Sequence, residues 1–117
     1  MLWPMISRRV TQYFKWRHAG LDVGDKMGNP IYAAENGVVE YSGWERGGWG
    51  NTVMVNHGNG TKTRYSHASK LLVVAGENVK KGQVIALIGS TGRSTGPHLH
   101  FGVYVNGRAL NPLQYLR

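Results

Sequence analysis

Two histidines two residues apart, His98 and His100, stand in the run Gly96-Pro97-His98-Leu99-His100-Phe101-Gly102. In an extended strand, residues i and i+2 point to the same face, so both imidazoles share one side while Leu99 turns into apolar packing on the other. Imidazoles on one face can share a divalent metal and the water it activates. The plain alternative is a strand that carries two polar residues on its solvent face. A second candidate pair is His18 and Asp22 in His18-Ala19-Gly20-Leu21-Asp22. Gly20 and Gly24 oppose a regular helix, and on an extended or bulged segment i and i+4 return to one side, bringing an imidazole and a carboxylate to one point. The competing possibility is a turn in which Asp22 bonds backbone amides and His18 is merely exposed.

His67 ends the run Thr61-Lys62-Thr63-Arg64-Tyr65-Ser66-His67, and His57 ends Asn51 to His57, with Gly58-Asn59-Gly60 between them. A Gly/Asn turn between two alternating runs predicts a hairpin with His57 at its tip, a solvated turn residue. His67 is then carried to the other end of the sheet and is the better site candidate. His18, Asp22, His67, His98 and His100 thus all fall on or beside strand ends. Catalytic zinc sites use three protein ligands and leave a position for water, whereas structural sites are closed by four, often thiolates. The chain has no cysteine, so any metal is held by His and carboxylate. Two imidazoles and one carboxylate leave a net positive charge that activates water and polarises a carbonyl, which is the chemistry of amide hydrolysis. The two remaining candidates match the remaining needs, a group to take the proton of the attacking water and a donor for the oxyanion. No His-Glu-x-x-His helix occurs, so the base is not the Glu of that motif.

The positioning elements are predicted to be strands. The 117 residues suit one domain over 1–117, with a core large enough to stand without staples. Glycine, 17 residues, far exceeds the usual share of about 7% and points to a turn-rich all-β protein. Val10 to Phe14 has strand composition. Pro30 to Ala34 and Gly37 to Tyr41 predict a hairpin about Glu35-Asn36-Gly37. Ser42 to Gly50 reads as a loop whose Trp44 and Trp49 either line a groove or cover a core edge. Val84 to Ile88 predicts a buried strand, and the Gly89 to Pro97 loop delivers the chain to His98. Asn106-Gly107 turns the strand that begins there, and Ala109 to Leu116 closes the unit.

The net charge is +8, with 14 Lys and Arg scattered along the chain and doublets only at Arg8-Arg9 and Lys80-Lys81. No basic stripe or reading motif indicates nucleic acid, so the surplus is read as general attraction to a polyanionic surface. Met1 to Met5 lacks the basic and apolar regions of a signal, and no apolar run approaches the roughly 18 residues of a membrane span. The chain is expected to be monomeric, with no membrane span, and to carry no export signal or anchor of its own.

Taken together, these elements resemble the lysostaphin-type, LytM-like zinc metallopeptidases of family M23, which cut peptidoglycan. His18-Ala19-Gly20-Leu21-Asp22 resembles the family's His-x-x-x-Asp element, Tyr65-Ser66-His67 its middle histidine, and Ser90 to Phe101 its His-x-His element, in the family's order from about Val10 to Leu116. The resemblance implies an antiparallel two-sheet β sandwich and a Zn2+ cofactor. It implies His18, Asp22 and His100 as zinc ligands and His67 and His98 as the catalytic pair that activates water and steadies the intermediate. It leaves His57 outside the site. The implied substrates are peptidoglycan stem or bridge peptides, with the Gly92-Arg93-Ser94-Thr95-Gly96-Pro97 form similar to members that cut D-alanyl to meso-diaminopimelate cross-links. The implied location is the cell envelope, periplasmic or extracellular. The short Phe14 to Arg17 segment before the first histidine departs from many members, so Tyr13 is not carried over as a substrate-binding residue. Two other functions compete: a catalytically inactive LytM-like module that binds and activates a cell-wall amidase, and a lipoyl-like or sugar-phosphocarrier domain with Lys80-Lys81 as the modifiable site. Inactive members typically lose several of the five residues kept here, and the carrier leaves the His/Asp set unexplained.

Overall fold

A computed structural model describes residues 1–117, and all of its strand ladders are antiparallel. The larger sheet has eight strands: β1 (Arg9–Gln12), β2 (Leu21–Gly24), β4 (Gly37–Glu45), β5 (Gly50–Gly58), β6 (Thr61–Ala68), β8 (Asn78–Val79), β10 (His98–Val105) and β11 (Arg108–Leu110). They are hydrogen-bonded in the order β1-β2-β10-β6-β5-β4-β8, and β2 and β11 share one edge of β10. The smaller sheet is β3 (Pro30–Tyr32), β9 (Val84–Leu87) and β7 (Lys70–Leu71), in the order β3-β9-β7. A single 3-10 turn, Pro112–Gln114, follows the last strand. The expected all-β, two-sheet antiparallel architecture is therefore what the chain adopts.

Alternation along the central strand decides where the site falls. Leu99, Phe101 and Val103 of β10 are fully buried, with Leu21 and Val23 of β2, Val53 and Val55 of β5, Tyr65 of β6 and Val39 of β4. They form one cluster with Ile31, Ile85, Ala86 and Ile88, so the core joins the two sheets. Burying each such side chain contributes about 1.5–3 kcal/mol. A one-residue slip of β10 would expose this set, so the register is strongly specified and the other face of the strand is committed to His98 and His100.

Four expectations change. The hairpin about Asn36-Gly37 does not form: β3 pairs with β9 and β4 pairs with β5 and β8. Asn59-Gly60 and Asn106-Gly107 do turn hairpins, with φ of 52° and 76° and of 51° and 82°, the left-handed conformations such turns require. Neither Asn36 nor Gly37 has a positive φ. Asn36 instead accepts at Oδ1 from the Lys81 amide, 2.8 Å, while the buried Tyr65 hydroxyl accepts from the Ala34 amide, 3.0 Å. These bonds hold residues 33–36 as a crossover from one sheet to the other. The Ser42 to Gly50 loop is also shorter than expected, because the β4 ladder continues to Glu45 opposite Gly50, leaving Arg46 to Trp49 as the connection. The first strand is Arg9–Gln12 and not Val10 to Phe14, since Lys15 and His18 close their own tight bridge.

His57 is the fourth change. It is partly buried, not solvated: Nδ1 donates to the Asn36 carbonyl and Nε2 lies against Thr63 Oγ1, both at 2.7 Å. Thr63 Oγ1 in turn lies 2.8 Å from the Tyr65 hydroxyl, so a hydrogen-bonded row ties the hairpin to the crossover. Burial lowers the His57 pKa, a shift the Asn36 carbonyl opposes, and burial pushes that of Tyr65 up to about 12, keeping it a neutral phenol.

Candidate active site

Four histidines and one aspartate meet at the head of β10 on the face away from the core. The ladder places His100 directly opposite Asp22 on β2, and His100 Nδ1 stands 2.8 Å from Asp22 Oδ1. His18 reaches the other carboxylate oxygen: its Nε2 is 3.1 Å from Asp22 Oδ2. The tight turn Lys15 to His18 makes this possible, because its two backbone bonds return His18 to the start of β2. The competing turn, with Asp22 bonding amides and His18 free, is not what forms. His18, Asp22 and His100 each offer one ligand atom, and the three atoms lie within 4.8 Å of one another.

The donor set fits a catalytic metal. His18 Nδ1 donates to the Tyr13 carbonyl at 3.0 Å, which leaves Nε2 with its lone pair facing a carboxylate oxygen. Two lone pairs that close repel unless a cation lies between them. Burial raises the Asp22 pKa, but the bond from His100 and the charge of His100, His18 and His98 outweigh it and hold the carboxyl below the usual range. Burial lowers the His100 pKa against the pull of Asp22, so its ring is neutral at pH 7. Imidazole nitrogens and an ionised carboxylate are donors that zinc takes, and the Tyr13 carbonyl on the far nitrogen of His18 orients that ring as a ligand needs.

His100 is almost fully enclosed, at 4% exposure, and its Nε2 has no hydrogen-bond partner. Gly20 covers that edge, and a Cβ at position 20 would overlap the ring at Nε2 and Cε1. Sequence reasoning treated Gly20 only as a helix breaker; its structural task is to let the backbone lie on a ligand.

His67 arrives by a different route. Tyr65, two residues before it, points into the core, so a regular strand would send His67 there too. His67 instead has φ 68°, and the β5–β6 register shifts beside it. This left-handed residue, strained by about 1 kcal/mol, turns the ring into the cleft, 4.7 Å from the His98 ring. Its Nδ1 donates to the Thr91 carbonyl at 2.8 Å and that of His98 to the Gly96 carbonyl at 2.9 Å. Both rings therefore present Nε2 as an acceptor. Burial is the leading cause that lowers the His67 pKa, ahead of the opposing Thr91 carbonyl.

The Gly89 to Pro97 loop holds both rings and forms one wall of the cleft. The Thr91 amide donates to the His67 carbonyl at 3.3 Å and the Arg93 amide to the Gly48 carbonyl at 2.8 Å. Trp49 borders the cleft beside this loop, its ring 4.9 Å from His100 in an edge arrangement and 6.5 Å from His67. The Arg64 guanidinium lies 4.1 Å from the Trp49 ring centre, pairs with both oxygens of Glu45, and donates from Nε to the Tyr104 hydroxyl at 3.2 Å. Sequence reasoning left Trp49 open and missed Arg64 and Glu45, which meet only through the β4-β5-β6 ladders. Trp44 is 60% exposed and does not line the cleft. The cleft, about 470 Å3, also takes in Arg17 and Arg93.

Residues 16–112 match the model of Peptidase family M23, and the chain belongs to that family. Its members are zinc-dependent, and the donor set here fits that metal. The chain is 51% identical over 96 residues to an uncharacterized metalloprotease of Haemophilus influenzae, covering 82% of this chain and 20% of that protein. It is 42% identical over 120 residues to the peptidoglycan DD-endopeptidase ShyC of Vibrio cholerae, covering 93% of this chain and 28% of that protein. Among solved structures it is similar to a zinc-containing peptidase from Vibrio cholerae, with 38% identity and a TM-score of 0.83 over 90% of this chain and 36% of that one. The chain thus spans less than a third of these two relatives.

Proposed function

We propose that residues 1–117 act as one catalytic domain, a zinc-dependent endopeptidase that hydrolyses peptidoglycan cross-link peptides of the D-alanyl to meso-diaminopimelate type in the cell envelope. The observation that carries this is the convergence of His18, Asp22, His67, His98 and His100 in one cleft, three as a ligand set and two as a pair of imidazoles beside it. The similarity to a peptidoglycan DD-endopeptidase supports the substrate class. The site is complete within one chain, which supports action as a monomer. Retention of all five side chains in working geometry favours catalysis over an amidase-activating module.

In this mechanism His18, Asp22 and His100 hold the zinc. Bound there, zinc supplies Lewis acidity, making water more acidic and the scissile carbonyl more electrophilic. Of His67 and His98, whose Nδ1 atoms are committed to backbone carbonyls, one takes the proton of the attacking water at Nε2. Once protonated, the same nitrogen donates to the oxyanion or the leaving amine. The Thr91 and Gly96 carbonyls keep both rings aimed into the cleft. Trp49 screens His100 from solvent.

Digestion of purified sacculi of several wall types, with and without a chelator, followed by mass analysis of the released muropeptides, tests the proposal. Peptide-bond products that disappear under chelation are expected. Undiminished cleavage with chelator defeats the zinc mechanism, and no cleavage of any wall promotes the amidase-activating module.

A further inference from the structure

Beyond His98 the cleft continues into a second lobe of about 380 Å3, walled by Gln12 on one side and by Thr95 and Pro97 on the other. Arg9 enters this lobe. Its guanidinium lies flat on Gly24, where a Cβ would overlap Cζ and both terminal nitrogens. The ladders pair Arg9 with Gly24 and Gly24 with His98, so the three form one cross-strand row. Directly opposed residues face the same side, and two strand spacings separate the Arg9 and His98 backbones by about 10 Å. That distance spans about three residues of an extended peptide.

The guanidinium has no acidic partner. The chain has six acidic side chains, and each is engaged elsewhere. Glu40 pairs with Lys62 and Glu45 with Arg64. Asp25, Glu35 and Glu77 accept from nearby amides, and Asp22 holds the histidines. No side-chain hydrogen bond from Arg9 occurs either. A planar cation with five donors, laid on a bare stretch of backbone in a polar groove, is shaped to take a carboxylate in two parallel bonds.

We propose that Arg9 binds a free carboxylate of the substrate peptide, within about three residues of the bond that is cut, and so selects acid over amide forms of that peptide. This rests on the peptidase function proposed above. The residue is specificity-determining; it touches no reacting atom.

The test uses a synthetic cross-linked stem peptide in two forms, with its carboxylates free or converted to carboxamides. Binding of each to the zinc-loaded His67→Ala protein, in which turnover is blocked, is measured by calorimetry. The acid form is expected to bind about tenfold more tightly, the worth of one charge-assisted pair at a partly open site. Arg9→Gln erases that preference and Arg9→Lys restores part of it. Gly24→Ala, which keeps the charge but pushes the guanidinium off its seat, also erases it. Equal binding of the two forms, a preference that survives Arg9→Gln, or no binding of either form overturns the proposal. Sacculus digestion by the unaltered protein reports separately on the peptidase itself, so cleaved sacculi with no acid preference defeat the role of Arg9 alone.

Discussion

At the residue scale the five polar side chains of the site are unequal, and their hydrogen bonds say why. His18, His67 and His98 each commit Nδ1 to a carbonyl and aim Nε2 at the cleft, whereas His100 turns Nδ1 to Asp22 and buries Nε2 beneath Gly20. His100 thus belongs to the proposed ligand set and His98 stands beside it, 3.9 Å from Asp22 Oδ2. His98→Ala is expected to keep its zinc and lose turnover by about 10²- to 10⁴-fold, the usual worth of a general acid or base, while His100→Ala loses the metal as well. Zinc content by elemental analysis beside muropeptide release checks this, and equal zinc loss in both variants would overturn the division of roles. Spacing made these residue types legible as candidates. It could not show which ring nitrogen faces the cleft, because for His18, His67 and His98 backbone carbonyls from residues 13, 91 and 96 decide that.

At the element scale, the same dipeptide does different work in different places. Asn59-Gly60 and Asn106-Gly107 turn hairpins, but Asn36-Gly37 serves a crossover because its flanking strands find better partners in separate sheets. Local turn chemistry was therefore readable twice and misleading once, where long-range pairing prevailed. His57 pins that crossover through Asn36 and Thr63. Its folded pKa lies below the ordinary 6.5, so as pH falls through 6.5 the unfolded chain binds the proton first and stability drops. Above 6.5 both states are neutral and its contribution is fully present. His57→Gln is expected to cost about 1 kcal/mol at pH 8 through lost hydrogen bonds, with the deficit narrowing at pH 5. Thermal midpoints of both proteins across this range check the sign, and a deficit that widens on acidification would contradict it.

At the scale of the whole molecule, the two sheets enclose one core and leave β10 to carry the site on its other face, while loops 46–49 and 89–97 wall the cleft. Net charge of +8 lies on a surface whose acids are mostly engaged, which favours approach to an acidic polymer. Binding of the His67→Ala protein to intact sacculi is expected to weaken as ionic strength rises from about 0.1 M, where the Debye length is about 10 Å, to 1 M, where it is about 3 Å. Sedimentation of sacculi with bound protein measures this, and a flat salt response removes the electrostatic contribution.

Alone, the sequence determined the all-β class, the hairpins at residues 58–60 and 106–107, and the five polar residues of the site, because period-2 alternation, Asn-Gly turns and histidine spacing are local signals. Tertiary structure decided the rest. The β10 register set Asp22 against His100, a left-handed residue at His67 reversed the side its strand would have given it, and neighbouring ladders brought Arg64 and Glu45 to Trp49. Contacts between segments far apart in the chain depend on which strands pair, and that choice belongs to the core as a whole.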